Sequence, residues 1–526
     1  MSLTARAQAP QRWAGPAMLL AGGLHTASFA PFGWWPLQLL ALALLAASVG
    51  RASPRQAAWR GGLFGMGWLG SGLWWLYISL HDFGGLHPLL SALAVALLAA
   101  FLSSYLALAL ALWAAWRTGR PATDAGGFAA CWLLFELARG QFFTGFPWLA
   151  SGYAHTDGPL AALAPWVGVY GIGAVAALLA ALLAAWGGEQ WAQRRPPPPA
   201  GPATRPAAAG LRAGPVLGGG ALLLLLVQAL PAEFTEPAGA LRVSLLQPNV
   251  PQHLKFDPDR IVGNLITLRE QVQAGTGELV VTPESVVPLP RDQVDGTFWQ
   301  GMLAPFRQPG RAALIGIFTG DEQAGYVNSL VGVSAAPQDY VYGKRHLLPF
   351  GEYVPPGFRW FVDLLRIPLG DQAAGTQTAP FEVAGQRVRP LICYEDLFGE
   401  DIAASVVGPQ AATVLVNATN LAWFGRHMVQ DQHLQFSRMR SLEFQRPIAR
   451  ATNTGATALI DHQGVVTHRL PALQQGRLEV TVQGRRGSTP YARWLARLGL
   501  WPFWALACAG LLQAAWRRKK TPAGPA

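Results

Sequence analysis

Residues 13–50 of this chain contain no Asp, Glu, Lys or Arg, and that run is broken only by Pro31-Phe32-Gly33-Trp34-Trp35-Pro36. A helix crossing a membrane needs roughly 20 apolar residues, and lipid offers the backbone no partners, so a spanning segment must bond its own N–H and C=O groups. The spacing therefore predicts two helices, about 13–30 and 34–50, joined by a tight turn. Further charge-poor runs predict helices at about 61–80, 87–116, 125–139 (which holds Glu136), 160–186, 214–231 and 496–516. Only 13% of the 526 residues are charged, about half the ~25% of a soluble domain. The expectation is an integral membrane protein with eight spans, seven within residues 1–232 and one within 485–526. Because more spans follow the first apolar run at once, that run reads as a helix and not as a cleaved signal peptide.

Basic residues in short loops set orientation. With the N-terminus inside, the inner segments hold Arg6, Arg12, Arg51, Arg55, Arg60, Arg117, Arg120, Arg194, Arg195, Arg205, Arg212, Arg517, Arg518, Lys519 and Lys520. The short outer loops hold Arg139 alone, so the count is fifteen against one. Both termini are then cytoplasmic, and the segment 240–484 is external. The net charge of +11 is chiefly this topological bias, so no nucleic-acid partner is expected.

From Ala240 the texture changes, with β-branched runs, returning charges and turn residues. Strands are expected at 241–247, 278–282, 312–318, 326–334, 340–344, 380–393, 412–417, 447–460 and 477–482, and helices at 257–273 and 430–445. Asp257-Pro258-Asp259 supplies a helix-start signal. About 240 residues of mixed strand and helix form one α/β domain able to bury a core. The Pro-rich stretch 196–206 reads as an irregular cytoplasmic loop. No internal repeat, metal-ligand spacing or phosphate-cradling glycine motif is present.

Cys131 and Cys508 fall in expected spans, leaving Cys393 as the external domain's one thiol. A lone cysteine is most often a buried structural residue. Cys393, however, ends the strand-like run Leu391-Ile392, and a thiolate nucleophile needs a group to take its proton. Glu284, after Leu279-Val280-Val281-Thr282-Pro283, is placed to act as that base, although a Glu there is more often solvated or capping. Lys344 is the sharper clue. Only Lys255, Lys344, Lys519 and Lys520 are lysine among 40 basic residues, and Lys344 stands beside Arg345. A compact ammonium makes a point-charge contact to an oxyanion where a forked guanidinium does not; drift is the alternative. His346 reads as a neighbour of such a site, and Glu136 as a partner of Arg139 near the outer surface. The 21 tryptophans are chiefly interfacial belt, but Phe146-Pro147-Trp148 and Trp423-Phe424 are candidate apolar arms that grip lipid.

Pro283-Glu284-Ser285, Gly343-Lys344-Arg345 and Cys393-Tyr394-Glu395 together resemble the nitrilase (carbon–nitrogen hydrolase) superfamily, whose Glu–Lys–Cys triad sits in a four-layer α-β-β-α sandwich. With seven expected spans before this domain and one after, the whole chain resembles the apolipoprotein N-acyltransferase family. Matching segments are Gln247-Pro248-Asn249-Val250-Pro251-Gln252, Leu348-Pro349-Phe350-Gly351-Glu352-Tyr353-Val354-Pro355, Asn417-Ala418-Thr419-Asn420 with Trp423-Phe424, and Arg450-Ala451-Thr452-Asn453-Thr454-Gly455. The resemblance implies an eight-helix α transmembrane bundle plus an α/β nitrilase-like sandwich in the bacterial inner membrane, with the sandwich periplasmic. It implies Glu284 as base, Cys393 as nucleophile and Lys344 as oxyanion stabiliser, with Glu352, Tyr394 and Glu395 supporting the pocket. The implied partners are a membrane phospholipid acyl donor, phosphatidylethanolamine foremost, and a diacylglyceryl-modified apolipoprotein acceptor. Neither metal nor organic cofactor is implied. One departure stands at Lys255-Phe256-Asp257-Pro258, where the family commonly has Trp in place of Phe256.

Two other readings compete. A membrane-tethered nitrilase-type amidase would share the triad but has no need of eight spans. A transporter or sensor with an inert Cys393 would need more ionisable residues in its spans than this chain has.

Overall fold

A computed structural model describes residues 13–193, 213–355, 357, 359–360 and 371–519. The Pro-rich stretch 196–206 and the residues Arg6, Arg12, Arg194, Arg195, Arg205, Arg212 and Lys520 lie outside them. The chain divides into two compact units, one within Met1–Trp74, Ala92–Pro231 and Leu500–Ala526, the other Trp75–Ser91 with Ala232–Gly499.

The first unit is helical: α1 (Ala14–Thr26), α2 (Trp35–Val49), α3 (Pro54–Gly72), α4 (Pro88–Trp116, from Ala92 onward), α5 (Pro121–Gln141), α6 (Ala164–Gln193), α7 (Ala213–Gln228) and the C-terminal helix Trp501–Lys519. Small residues let α1 and α3 approach closely. A Cβ on Gly22 would strike the Phe64 carbonyl oxygen, and one on Gly67 would strike that of Leu19. Among the described residues, two helices are long and apolar enough to cross a membrane, Pro88–Trp116 and Pro159–Gln190. The broken pair Pro490–Leu498 and Trp501–Arg518 makes a third if counted as one span. The helices at the other apolar runs are shorter or less apolar. Three of them, α1, α2 and α7, have 13, 15 and 16 residues. The run expected at 61–80 is divided: α3 begins seven residues earlier, takes in Arg55 and Arg60, and ends at Gly72.

The second unit is a two-sheet sandwich. Its strands are β1 (Thr235–Gln247), β2 (Leu279–Val281), β3 (Ala312–Asp321), β4 (Gly325–Val333), β5 (Tyr340–Gly343), β6 (Phe381–Val383), β7 (Gln386–Ile392), β8 (Val414–Thr419), β9 (Ile448–Thr452), β10 (Ala458–Ile460), β11 (Val466–Arg469) and β12 (Gly476–Gly487). One sheet has the order β12-β1-β2-β3-β4-β5, the other β11-β10-β9-β8-β7-β6. In each, three central strands run parallel, β1-β2-β3 and β7-β8-β9, and antiparallel strands flank them.

Strand side chains alternate faces, and the core follows. Val243, Leu245, Leu279, Val281 and Leu314 turn inward against Val388, Ile392, Val414, Val416, Ala449 and Ala451 of the facing sheet. Leu246, Val280, Ala313, Ile315 and Ile317 turn outward to meet Leu268 and Val272 of α8 (Pro258–Gln273) and Trp299, Met302 and Leu303 of α9 (Gly296–Leu303). On the other sheet α10 (Val429–Phe444) packs beside β9 and β10. The segment expected as a single strand over 380–393 is a hairpin, because Ala384 and Gly385 take positive φ. The run 447–460 likewise splits into β9 and β10 around Asn453–Thr457, and α9 and β11 were not anticipated.

Candidate active site

Glu284 follows β2, Lys344 follows β5, and Cys393 follows β7, so three strand ends deliver the three groups. The close approach of Gly316 lets the Pro283–Ser285 turn lie on β3, since a Cβ there would strike the Pro283 carbonyl. The Thr282 hydroxyl accepts from the Gly316 N–H at 2.9 Å. Ser285 and Cys393 both take positive φ, 44° and 50°, a backbone region costly for residues with a side chain. At Cys393 it ends β7 abruptly and starts the tight turn Cys393–Leu397.

Glu284 and Lys344 are buried. The Lys344 ammonium donates to Glu352 Oε1 at 2.7 Å and to Glu284 Oε1 at 3.4 Å. Asn328 Nδ2 donates to the same two oxygens, at 2.7 Å to Glu284 and 3.2 Å to Glu352. The Asn420 N–H donates to Glu284 Oε2 at 2.9 Å. Burial pulls the Lys344 ammonium down, but the charges of Glu352, Glu284 and Cys393 outweigh it and hold the group above its ordinary value. Cys393 is partly exposed. Burial among its neighbours and then the Glu284 charge push its thiol up, while Lys344 and a hydrogen bond with Thr419 pull it down less strongly. The thiol is thereby held toward its protonated form, beside Glu284 and the Lys344 ammonium. Such a set can move a proton from sulfur to carboxylate as sulfur attacks, and can meet negative charge developing on an acyl oxygen.

Glu352 stands where the second carboxylate was expected, and its Oε2 also accepts from the Leu348 N–H at 2.8 Å. Glu395 does other work. Its carboxylate accepts from the Ile392 N–H (2.7 Å), the Arg345 N–H (2.7 Å), the His346 N–H (3.4 Å) and the Tyr342 hydroxyl (2.8 Å to each oxygen). It thus ties the residue before Cys393 to the residue after Lys344. Tyr394 is buried, edge-on to Phe398 at 5.1 Å between centroids. His346 stacks on Phe398, with Nδ1 3.0 Å from Asp401 Oδ2.

The apolar candidates separate. Phe256 (44% exposed) lies 6.3 Å from Trp423 between centroids. Trp423 meets Phe83, Phe424 meets Trp75, and Ile78 covers Gly425, so the 75–83 segment braces this turn. Phe146 and Trp148 belong to the helical unit, where Arg139 donates to both their carbonyls at 2.7 Å. Trp148 is buried, so it is no exposed arm; Phe142 and Phe143 are the exposed rings of that loop. Glu136 pairs with Arg139 at 3.4 Å and accepts from the Ser151 N–H. Sequence reasoning missed Asn328, and it quoted Thr419 and Asn420 only within a matching segment, without a role, because these residue types carry no chemical signature. It also gave Lys255 no role, although the rarity of lysine marked that residue.

The paired sheets are those of a carbon–nitrogen hydrolase fold, and the carbon-nitrogen hydrolase family model matches residues 242–491. Residues 21–182 match the model of the apolipoprotein N-acyltransferase N-terminal domain. Relatives named apolipoprotein N-acyltransferase include one from Verminephrobacter eiseniae, 46% identical over 94% of this chain and 95% of that protein. Another, from Ralstonia nicotianae, is 44% identical over 92% and 90%, and one from Nitrosomonas europaea is 39% identical over 95% and 97%. The chain belongs to the apolipoprotein N-acyltransferase family, and is an acyltransferase of the carbon–nitrogen hydrolase superfamily.

Proposed function

We propose that this chain moves a fatty acyl group from a membrane phospholipid, phosphatidylethanolamine foremost, through a Cys393 thioester to the α-amine of diacylglyceryl-cysteine on a bacterial apolipoprotein. The observation that carries the reading is the convergence of buried Glu284 and Glu352 on Lys344, with the positive-φ Cys393 near enough to feel the charges of all three. In the first half-reaction Glu284 takes the Cys393 proton as sulfur attacks an acyl ester carbonyl. Lys344 meets the oxyanion, the ester C–O bond breaks, and Glu284 returns the proton to the departing lysophospholipid oxygen. In the second, the acceptor amine attacks the thioester, Glu284 takes its proton and passes it to the departing sulfur, and the C–S bond breaks to leave an amide and a thiol. Splitting the transfer in two is what a covalent nucleophile achieves. Anchoring both substrates in one bilayer replaces a three-dimensional search by a two-dimensional one.

The arginine asymmetry supports an eight-span, multi-pass topology with both termini cytoplasmic and the domain at 240–484 periplasmic. Phe256, Trp423 and Phe424 are proposed to meet acyl chains; Glu352 supports Lys344, and Tyr394 and Glu395 hold the nucleophile turn.

The test is intact-mass spectrometry of the full-length protein in detergent after incubation with phosphatidylethanolamine, alongside Cys393→Ala. A fatty-acyl increment that hydroxylamine removes, absent from the variant, is expected. No increment on folded protein would remove phospholipid acyl transfer and leave hydrolysis of small amides as the reading to pursue.

A further inference from the structure

Two lysines of the catalytic unit are buried, and only one has a counter-charge. Lys344 touches two carboxylates. Lys255 is 4% exposed, yet among the described residues no carboxylate lies within ion-pair distance of it. Its ammonium has three N–H groups. One donates to Ser285 Oγ at 2.8 Å and a second makes a long contact to the Glu284 carbonyl oxygen at 3.5 Å. The Phe256 ring, 5.7 Å from Nζ, adds a weak cation–π contact. The carboxylate whose charge reaches it is Glu284, and that group's oxygens already accept from Asn328, Lys344 and the Asn420 N–H.

A buried cation without an anion is costly, and proteins normally pair such groups or let them lose the charge. Burial brings the Lys255 ammonium down to about 8, with the Glu284 charge working the other way, so at neutral pH it is still chiefly charged. The group also lines a cavity that it shares with Glu284, Asn264, Thr267, Gln271 and Asn453, with prolines, valines and a leucine completing the wall. An ammonium with a donor to spare, among amides and beside the proposed base, is a site for an anionic oxygen ligand.

We infer that Lys255 holds the phosphodiester of the acyl-donor lipid, so that the lipid supplies the counter-anion the fold omits. The inference rests on the proposed phospholipid donor. The phosphate and the acyl esters hang from the same three-carbon glycerol, so anchoring one beside Glu284 restricts where the ester carbonyl can lie. Lys255 is then a specificity residue for donor lipids over esters that lack phosphate.

The experiment compares full-length wild type and Lys255→Met in detergent. Thioester formation is followed by intact mass with phosphatidylethanolamine and with p-nitrophenyl palmitate, an acyl ester without phosphate. The variant should lower the ratio of phospholipid to nitrophenyl-ester acylation by about 10- to 100-fold, the worth of a hydrogen bond to a charged group. In wild type, glycerophosphoethanolamine should compete with nitrophenyl-ester acylation, and Lys255→Met should weaken that competition; this arm needs no variant to show binding. An unchanged ratio, or equal loss with both esters, would overturn the inference and leave Lys255 as a brace for Ser285. Competition by inorganic phosphate without a change in ratio would assign the cavity to a free anion and overturn the lipid assignment. If wild type takes acyl groups from the nitrophenyl ester and never from phospholipid, the donor reading itself fails.

Discussion

Glu395→Gln tests how the nucleophile and the lysine are held in register. The carboxylate accepts from the N–H groups of Ile392 and Arg345, each at 2.7 Å, and from the Tyr342 hydroxyl. Glutamine keeps one oxygen and replaces the other with a donor. With its oxygen toward Arg345, its NH2 faces the Ile392 N–H, leaving one buried donor unpaired; Tyr342 can rotate to accept. A hydrogen bond to a charged group contributes about 1.5–3 kcal/mol and an orphaned buried donor costs about 1–3 kcal/mol, so the change should destabilise the catalytic unit by about 2–3 kcal/mol. For a unit of this size that is a melting shift of about 4–12 °C. The Cys393–Lys344 geometry should loosen as well, and a misplacement near 1 Å costs about 100-fold in rate. Thermal unfolding by intrinsic fluorescence and single-turnover thioester formation by mass spectrometry check the two arms. Wild-type melting together with a wild-type acylation rate would refute the reasoning.

Further outcomes follow from the same geometry. Glu352→Gln removes the closest counter-charge of Lys344; the ammonium should turn toward Glu284, the remaining carboxylate, slowing acylation by about 10- to 100-fold, as read by thioester formation. Asp396 is held up at about 6 by burial, against the opposing pull of Arg450 and Ser437. A raised carboxyl stabilises the fold below its unfolded value of about 4 and loses that contribution as pH rises through 6, so melting should fall across pH 4–6 and that part of the slope should vanish in Asp396→Asn. Lys255 is brought down to about 8. The phospholipid concentration giving half-maximal acylation should therefore rise as pH passes 8, a rise absent with p-nitrophenyl palmitate.

The sequence disclosed whatever is periodic or chemically rare. The apolar, β-branched runs within 241–247 and 312–318 located two central strands, because one face of each packs on the opposite sheet and the other on helices. Lys344 stood out because lysine is scarce among arginines, and Glu284 and Cys393 because each ends an apolar run. The hairpin at Ala384–Gly385 was hidden because alanine gives no turn signal. The bracing of Trp423–Phe424 by residues 75–83 was hidden because those residues lie over 300 positions away inside an apolar run, where composition speaks only of lipid. Glu395 shows a further limit: adjacency to the nucleophile suggests chemistry, whereas its carboxylate is consumed by backbone donors.

Glu352 gives the proposed reaction a consistent charge. The proposed reaction starts from Glu284 and Glu352 written as carboxylates, Lys344 as ammonium and Cys393 as thiol, a net charge of minus one. In the tetrahedral intermediate the thiol proton sits on Glu284 and the negative charge has moved to the substrate oxygen; the sum is unchanged. In the acyl-enzyme the proton has left with the lysophospholipid, Glu284 is again a carboxylate, and the sum is still minus one. No step brings new charge into a buried place, where it would be costly; charge moves only from Glu284 to the oxyanion and back. Lys344 stays beside both positions, held by Glu352 at 2.7 Å while Glu284 lies at 3.4 Å. The ammonium is thus paired more closely with the carboxylate that takes no part in the proposed proton transfer, and makes the looser contact with the one that does.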